Sequence, residues 1–129
     1  MATLFTQIIN GSIPCHKIAE NDEFLSFLDI SPLAHGHTLV VPKQETDYLF
    51  DLDDALLGRM MIFAKNVALQ VEKAIDCKRI GVAVIGLEVP HAHIHLVPLQ
   101  AVSDINFERP KLIVTHQELA DVANRILNA

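Results

Sequence analysis

The sequence reads His91-Ala92-His93-Ile94-His95-Leu96, an unbroken alternation of imidazole and apolar side chains. A period of two is typical of a β-strand, in which successive side chains point to opposite faces. We therefore predict a strand over residues 89–97, with the apolar side chains on the core and the three imidazoles together on the other face. Those imidazoles need solvent, a ligand or other polar groups, because burying an unpartnered polar group is costly.

Patterns on either side of this strand predict the rest of the fold. A capping box at Thr115 and Glu118 indicates the start of a last helix, and acidic residues at 51–54 are suitable caps for a long one. The predicted elements are a helix over 3–9, strands over 15–20, 23–28 and 37–41, a long helix to about 75, a buried strand over 80–85, the histidine strand, and a C-terminal helix over about 115–128. This order indicates an α+β fold in one domain spanning 1–129, with a mainly antiparallel five-stranded sheet.

Composition narrows the classes of function. The formal net charge of −6 disfavours a nucleic-acid binder, since such proteins concentrate lysine and arginine against phosphate. No apolar run has the roughly 18 residues that a membrane span needs, and the first residues do not resemble a signal peptide. The two cysteines, Cys15 and Cys77, form no disulfide framework. We expect a cytoplasmic protein without a nucleic-acid or membrane partner.

Three interpretations of the histidines compete. A metal is one, but imidazoles at i, i+2 and i+4 span roughly 13 Å, far more than two metal–nitrogen bonds of about 2.0–2.1 Å can bridge. A metal site built from two of the histidines and a distant carboxylate remains an alternative. In the second interpretation, the histidines have no catalytic or ligand-binding role. The third is phosphoryl or nucleotidyl transfer, in which imidazole acts as nucleophile, acid or hydrogen-bond donor. We favour the third.

The wider sequence resembles a known family. Residues 91–97 match the pattern His-φ-His-φ-His-φ-φ, with φ apolar, of the histidine triad (HIT) family of nucleotide hydrolases and transferases. Three further stretches resemble the Hint branch in the same order: Ile8-Ile9-Asn10-Gly11-Ser12-Ile13-Pro14, Phe27-Leu28-Asp29-Ile30-Ser31-Pro32 and Gly36-His37-Thr38-Leu39-Val40-Val41-Pro42-Lys43. The resemblance covers about residues 3–99.

The resemblance implies a HIT-like fold, a homodimer that extends its sheet across a two-fold axis, and a set of catalytic residues. His93 would attack the α-phosphorus of a nucleotide and form a transient nucleotidyl-histidine. A carbonyl near His91 would set the tautomer of His93, and His95 would contact the phosphate. His37 matches a family histidine near the triad and is expected to orient His91.

The resemblance also implies a substrate site. Asp29 matches the acidic residue that accepts the ribose hydroxyls. The positions that match the apolar walls around the base are Ile8, Phe27, Leu28 and Ile30. Without the resemblance, the last three would be interpreted as core residues of a strand, and Asp29 as the cap of a turn.

The sequence departs from the family at two places. The loop over residues 84–89 is short, has no Asn, and carries Leu87 where relatives have Gln. That loop normally supplies polar contacts to phosphate, and Glu88 could replace part of its proton-transfer capacity. Many bacterial members hold a structural zinc with two Cys and a His, but the matching residues here are Thr3, Thr6 and Glu45, so we expect no such zinc.

These observations predict a nucleotide hydrolase of the phosphoramidase type that needs no cofactor and no metal in the chemical step. A nucleotide-binding or regulatory protein that has lost turnover with its loop is the first alternative. A His-x-His metal protein is the second.

Overall fold

The computed structural model describes residues 2–129. Its helices are α1 (Leu4–Ile9), α2 (Asp54–Ala74) and α3 (His116–Leu127), and its strands are β1 (Lys17–Glu20), β2 (Phe24–Leu28), β3 (Thr38–Pro42), β4 (Arg79–Ala83) and β5 (Ile94–Leu99). Short 3-10 helices cover Leu49–Asp51 and Val102–Ile105.

Side chains that accept a hydrogen bond from the first helical turn set the starts of all three helices. Thr3 caps α1 and Asp53 caps α2. Thr115 and Glu118 form the expected capping box at α3, each accepting from the backbone N–H of the other. Such caps satisfy amides that have no partner within the helix.

The five strands form one antiparallel sheet in the order β1-β2-β3-β5-β4, which confirms the predicted α+β class. On one face, α2 and α3 pack on the larger core, in which Val40 and Ile94 from the sheet are joined by Met60 and Ile126. On the other face α1 covers a smaller apolar cluster, namely Phe5, Leu25, Phe27, Leu39 and Val41.

The histidine strand is shorter at its start than predicted. It begins at Ile94 rather than 89, because the chain turns before the strand. The N–H of His91 donates to the carbonyl of Val89 at 2.8 Å, and Pro90 has no N–H that could hydrogen-bond to a neighbouring strand. The predicted alternation nevertheless holds across this boundary. Ala92, Ile94 and Leu96 all lie in the larger core.

The prediction of a buried strand over 80–85 is wrong about where the strand ends and about its burial. The strand, β4, ends at Ala83 and lies at the end of the sheet, so that one of its edges pairs with no strand within residues 2–129. Val82 is 52% exposed and Ile85 is 45% exposed. Apolar content alone cannot distinguish such an edge strand from a central one.

Candidate active site

The triad lies on the face of the sheet that α1 covers. His95 pairs with Leu39 in β3, which pairs with Phe27 in β2, and residues paired in this way share a face. The rings of His93 and His95 are 4.8 Å apart, edge to face. Both are nearly closed off from solvent, at 6% and 8% exposure.

The tautomer of His93 follows from its backbone partner. Nδ1 of His93 lies 2.7 Å from the carbonyl oxygen of His91, which can only accept a hydrogen bond. Nδ1 therefore carries the proton, and Nε2 keeps a free lone pair. Burial lowers the pKa of His93, against the opposing effects of this hydrogen bond and of the charge of Glu88. The ring is thus neutral near pH 7 and has a nucleophilic nitrogen.

A second hydrogen-bond chain sets the tautomer of His95. The N–H of Leu33 donates to Nδ1 of His37 at 3.0 Å, which leaves the proton of His37 on Nε2. That nitrogen lies 3.0 Å from Nδ1 of His95 and donates to it, so His95 carries its own proton on Nε2. Burial lowers the pKa of His37 to about 4 and that of His95 to about 3, and the charge of Lys111 and the neighbouring histidines act in the same direction.

The third histidine of the triad belongs to a different network. Nε2 of His91 donates to the carbonyl of Pro42 at 2.8 Å, and its Nδ1 accepts from the hydroxyl of Thr3 at 2.8 Å. Glu45 Oε1 in turn accepts from the Thr3 N–H at 2.9 Å and from the Thr6 hydroxyl at 2.6 Å. We call these four side chains (Thr3, Thr6, Glu45 and His91) the Thr3 network. It ties the start of α1 to the triad.

Asp29 lies beside the His37–His95 pair. Its Oδ1 accepts from the N–H of Ser31 at 2.9 Å, and its Oδ2 is 3.6 Å from Nε2 of His37. Because His37 is neutral near pH 7, this contact is not an ion pair at that pH. Burial raises the pKa of Asp29, against the Ser31 hydrogen bond and the charge of Lys111, which lower it.

Apolar side chains support the triad from the α1 side. Phe5 meets the ring of His93 at 5.0 Å and that of His91 at 5.8 Å, both edge to face. Phe27 packs on Phe5 at 5.6 Å, and Ile8 borders the same cluster. Two of the four predicted base-binding positions therefore lie on the triad face.

The chain returns to the triad after the 3-10 helix at Val102–Ile105. The ring of Phe107 lies 4.6 Å from that of His95 and 6.0 Å from that of His37, centre to centre. Lys111 Nζ donates to the carbonyl of Phe107 at 2.6 Å. The segment is fastened where the N–H of Leu112 donates to the carbonyl of Pro32 at 2.8 Å.

Comparison with known proteins agrees with this geometry. A family model described as HIT domain matches residues 10–102. The chain belongs to the HIT family. A HIT-like protein of Helicobacter pylori is 40% identical over 101 residues, which cover 73% of this HIT chain and 93% of that protein. The adenosine 5'-monophosphoramidase of Schizosaccharomyces pombe is 34% identical over 103 residues, or 76% and 74% of the two chains. The crystal structure of a HIT-like protein from Bartonella henselae superposes with a TM-score of 0.84 at 28% identity. The superposition covers 98% of this chain and 95% of that protein.

The Thr3 network contains the three residues, Thr3, Thr6 and Glu45, that the resemblance matches to the zinc ligands of many bacterial members. Its residues do not fit that ion: Thr3 and Thr6 offer neutral hydroxyls in place of thiolates, and Oε1 of Glu45 is already used by two donors. A hydrogen-bonded network links α1 to the triad of this HIT chain instead.

Two predicted site residues have contacts other than those expected, and two lie at the margin of the site. His37 was expected to orient His91, but its ring partner is His95. Leu28 was expected at the base, but it packs in the larger core against α2, because neighbouring residues of a strand face opposite ways. Ile30 is 65% exposed and Glu88 is also exposed, so both lie at the margin of the site.

Two groups that contact the triad, Phe5 and Phe107, could not be predicted from the sequence. Phe5 is one of several apolar residues of α1, and nothing in its spacing singles it out. Phe107 lies in an irregular segment beyond the part of the chain that the HIT model matches. A segment without periodicity carries no signal of which side chain turns inward.

One possible group of metal ligands occurs in the described part of the chain: Asp29, His37 and His95, whose ligand atoms lie within 4.8 Å of one another. The hydrogen bonds do not favour its use. His37 Nδ1 already accepts from Leu33, so a metal on Nε2 would require an imidazolate ring. Separately, no helix within residues 2–129 is both long and apolar enough to cross a bilayer.

Proposed function

We propose that this HIT protein hydrolyses nucleoside monophosphate derivatives at the α-phosphorus, as a nucleoside phosphoramidase. The observation that carries the proposal is the hydrogen bond from Nδ1 of His93 to the carbonyl of His91, which leaves the Nε2 lone pair free for attack. The name of the Schizosaccharomyces pombe relative, adenosine 5'-monophosphoramidase, supports the same reaction class.

The proposed reaction has two steps. In the first, Nε2 of His93 forms a bond to phosphorus while the phosphorus–nitrogen bond to the leaving amine breaks, and that amine takes up a proton. In the second, water attacks phosphorus, the bond to His93 breaks, and the water releases a proton. The sum is phosphoramidate plus water giving nucleoside monophosphate plus amine. Dividing one difficult displacement between two easier ones is the advantage of a covalent intermediate.

His95 would stabilise the phosphoryl oxygens. The hydrogen bonds from Leu33 to His37 and from His37 to His95 leave the proton of His95 on Nε2. The His95 ring is therefore an N–H donor even though it is neutral near pH 7. A donor that is already oriented costs little reorganisation as charge develops on the phosphate.

We assign the nucleoside to the groups that flank the triad. Asp29, half-enclosed beside His37, would accept the ribose hydroxyls. Ile8 and Phe27 would contact the base, with Ile30 at the exposed margin. Glu88 lies near enough to raise the pKa of both His93 and Asp29, and it would assist proton transfer from the short loop.

A nucleotide-binding protein without turnover is the second candidate. The short loop before the triad favours it, because Leu87, 87% exposed, stands at the position where the resemblance predicts a polar side chain. The near-complete enclosure of His93 and His95 also favours it. Binding of AMP without release of product would support this candidate.

We further propose a homodimer in the cytoplasm. The free edge of β4 carries exposed Val82, and Met61 and Ile62 of α2 are also exposed, at 47% and 62%. An unpaired apolar edge is a liability that pairing with a second copy removes. Cys15 and Cys77 are both free thiols, which suits a reducing compartment.

The decisive experiment is the release of AMP from adenosine 5'-phosphoramidate in the presence of EDTA, with native protein and His93→Ala side by side. We expect release by the native protein and its loss in the variant. Release that EDTA abolishes would contradict the metal-free mechanism. If neither protein releases AMP although the native one binds it, the binding-protein candidate replaces the hydrolase.

A further inference from the structure

The triad has little positive charge of its own. His37, His93 and His95 are all neutral near pH 7, since burial lowers the pKa of each. Two carboxylates, Asp29 and Glu88, act on the same site, and the chain as a whole carries −6. A nucleotide phosphate entering this region would meet a negative field unless a cation lies close by.

Lys111 is positioned to be that cation. Its ammonium lies 5.7 Å from the centre of the Phe107 ring, and the same ring contacts His95 at 4.6 Å. The charge of Lys111 acts on Asp29, His37 and His95 alike. The residue therefore belongs to the immediate surroundings of the triad.

The charge of Lys111 is available to a ligand. Within residues 2–129 its ammonium forms no ion pair with a carboxylate, and its one hydrogen bond is to the carbonyl of Phe107. An ammonium has three donors, so two remain for an incoming anion. The side chain is partly buried, which reduces screening by solvent.

We propose that Lys111 binds the phosphate of the nucleotide, in place of the polar groups that the short loop over residues 84–89 lacks. This inference rests on the proposed function, because it assigns a residue to the same substrate. Lys111 lies after the last residue that the HIT model matches, so it is a feature of this chain rather than of the shared motif. The anchor from Leu112 to Pro32 holds it near Asp29.

The test compares binding of AMP with binding of adenosine, which has the same base and ribose but no phosphate. Dissociation constants are measured by calorimetry for native protein, Lys111→Gln, Lys111→Arg and Lys73→Gln. Lys73 is an exposed lysine of α2, and its variant matches the loss of charge at a remote position. Binding needs no turnover, so the readout is independent of the rate of hydrolysis.

We expect Lys111→Gln to weaken AMP binding about 10-fold or more, as loss of a charged hydrogen bond does, and to leave adenosine binding unchanged. Lys111→Arg should retain most of the AMP affinity, and Lys73→Gln all of it. Equal AMP affinity in Lys111→Gln and native protein would overturn the inference alone, as would an equal loss of AMP and adenosine binding. Failure of the native protein to bind either ligand would overturn the proposed function itself.

Discussion

Nε2 of His37 lies 3.0 Å from Nδ1 of His95, and both rings are buried. Because Nδ1 of His37 is occupied by the N–H of Leu33, the proton between the two rings belongs to His37. A backbone amide four residues from His37 thus determines which nitrogen of His95 is a donor.

Replacing His37 by Leu should release this constraint. We expect kcat for AMP release to fall about 10- to 100-fold, by analogy with partners that orient metal-ligating histidines, with a small change in KM. Long-range ¹H–¹⁵N NMR should show the Nε2–H tautomer of His95 in native protein and a mixture in the variant. His37→Asn, whose amide can donate to His95, should recover part of the rate. An unchanged tautomer in His37→Leu would contradict the argument.

The dependence of activity on pH should report His93. Protonation removes the Nε2 lone pair, so kcat/KM falls as the pH drops through the pKa of His93. Burial lowers that pKa, which places the acid limb below about pH 6.5 and leaves the rate flat between about pH 7 and 8. A profile of kcat/KM checks this, and an acid limb centred above about pH 7 would refute it.

Stability should fall in acid for the same reason. A histidine whose pKa is lower in the folded than in the unfolded state binds its proton on unfolding, so its contribution is present above about pH 6.5 and is lost as the pH falls. Each such residue adds a slope of up to about 1.4 kcal/mol per pH unit to the free energy of unfolding.

Urea denaturation at several values between about pH 7.5 and 5 measures that slope, above the ordinary pKa values of carboxyl groups. Asp29, whose pKa is raised by burial, contributes in the opposite direction. His37→Leu should show a smaller slope than native protein. A free energy of unfolding that rises toward pH 5 would count against the buried neutral histidines.

The Thr3 network should contribute measurably to the free energy of unfolding. Thr3→Val removes both the closer donor to Nδ1 of His91 and the cap of α1, and leaves that buried ring nitrogen only the Thr6 hydroxyl, at 3.4 Å. We expect a loss of about 2 kcal/mol in the free energy of unfolding, from urea titration. Thr3→Ser keeps the hydroxyl and should lose little. Equal stability of the Val and Ser variants would show that the hydroxyl contributes nothing.

The edge of β4 should control assembly. Native protein is expected at twice the chain mass of 14.3 kDa in light scattering, and Val82→Glu at the chain mass, because a charge on the edge opposes pairing. Ile113→Glu, at a fully exposed residue outside the sheet, is the matched control and should remain dimeric. A monomeric native protein would dismiss the proposed dimer.

Local patterns predicted much of this fold. The caps at Asp53 and Thr115 and the alternation around Ile94 depend on neighbours in sequence, and the structure has them where expected. The edge position of β4 depends on the order of strands in the sheet, which no local pattern contains. Its apolar residues therefore pointed to burial that the structure does not show.

The candidate active site likewise has features that local sequence patterns predict and features that depend on tertiary structure. The common face of His93 and His95 follows from a period of two. The pairing of His37 with His95 rather than His91 depends on the register between β3 and β5, which places Leu39 opposite His95. Phe107 and Lys111 lie in a segment without regular secondary structure. Only the tertiary structure shows that this segment packs beside the triad.

The Thr3 network has a consequence for how the protein withstands its surroundings. The segment that closes over the first triad histidine is held by two hydroxyls and a carboxylate, none of which changes its oxidation state. Oxidants that convert thiolates to disulfides, and chelators that compete for zinc, have no target among these three groups. The hydrogen bonds that hold the start of α1 to His91 therefore depend neither on metal supply nor on the thiol–disulfide balance of the cell.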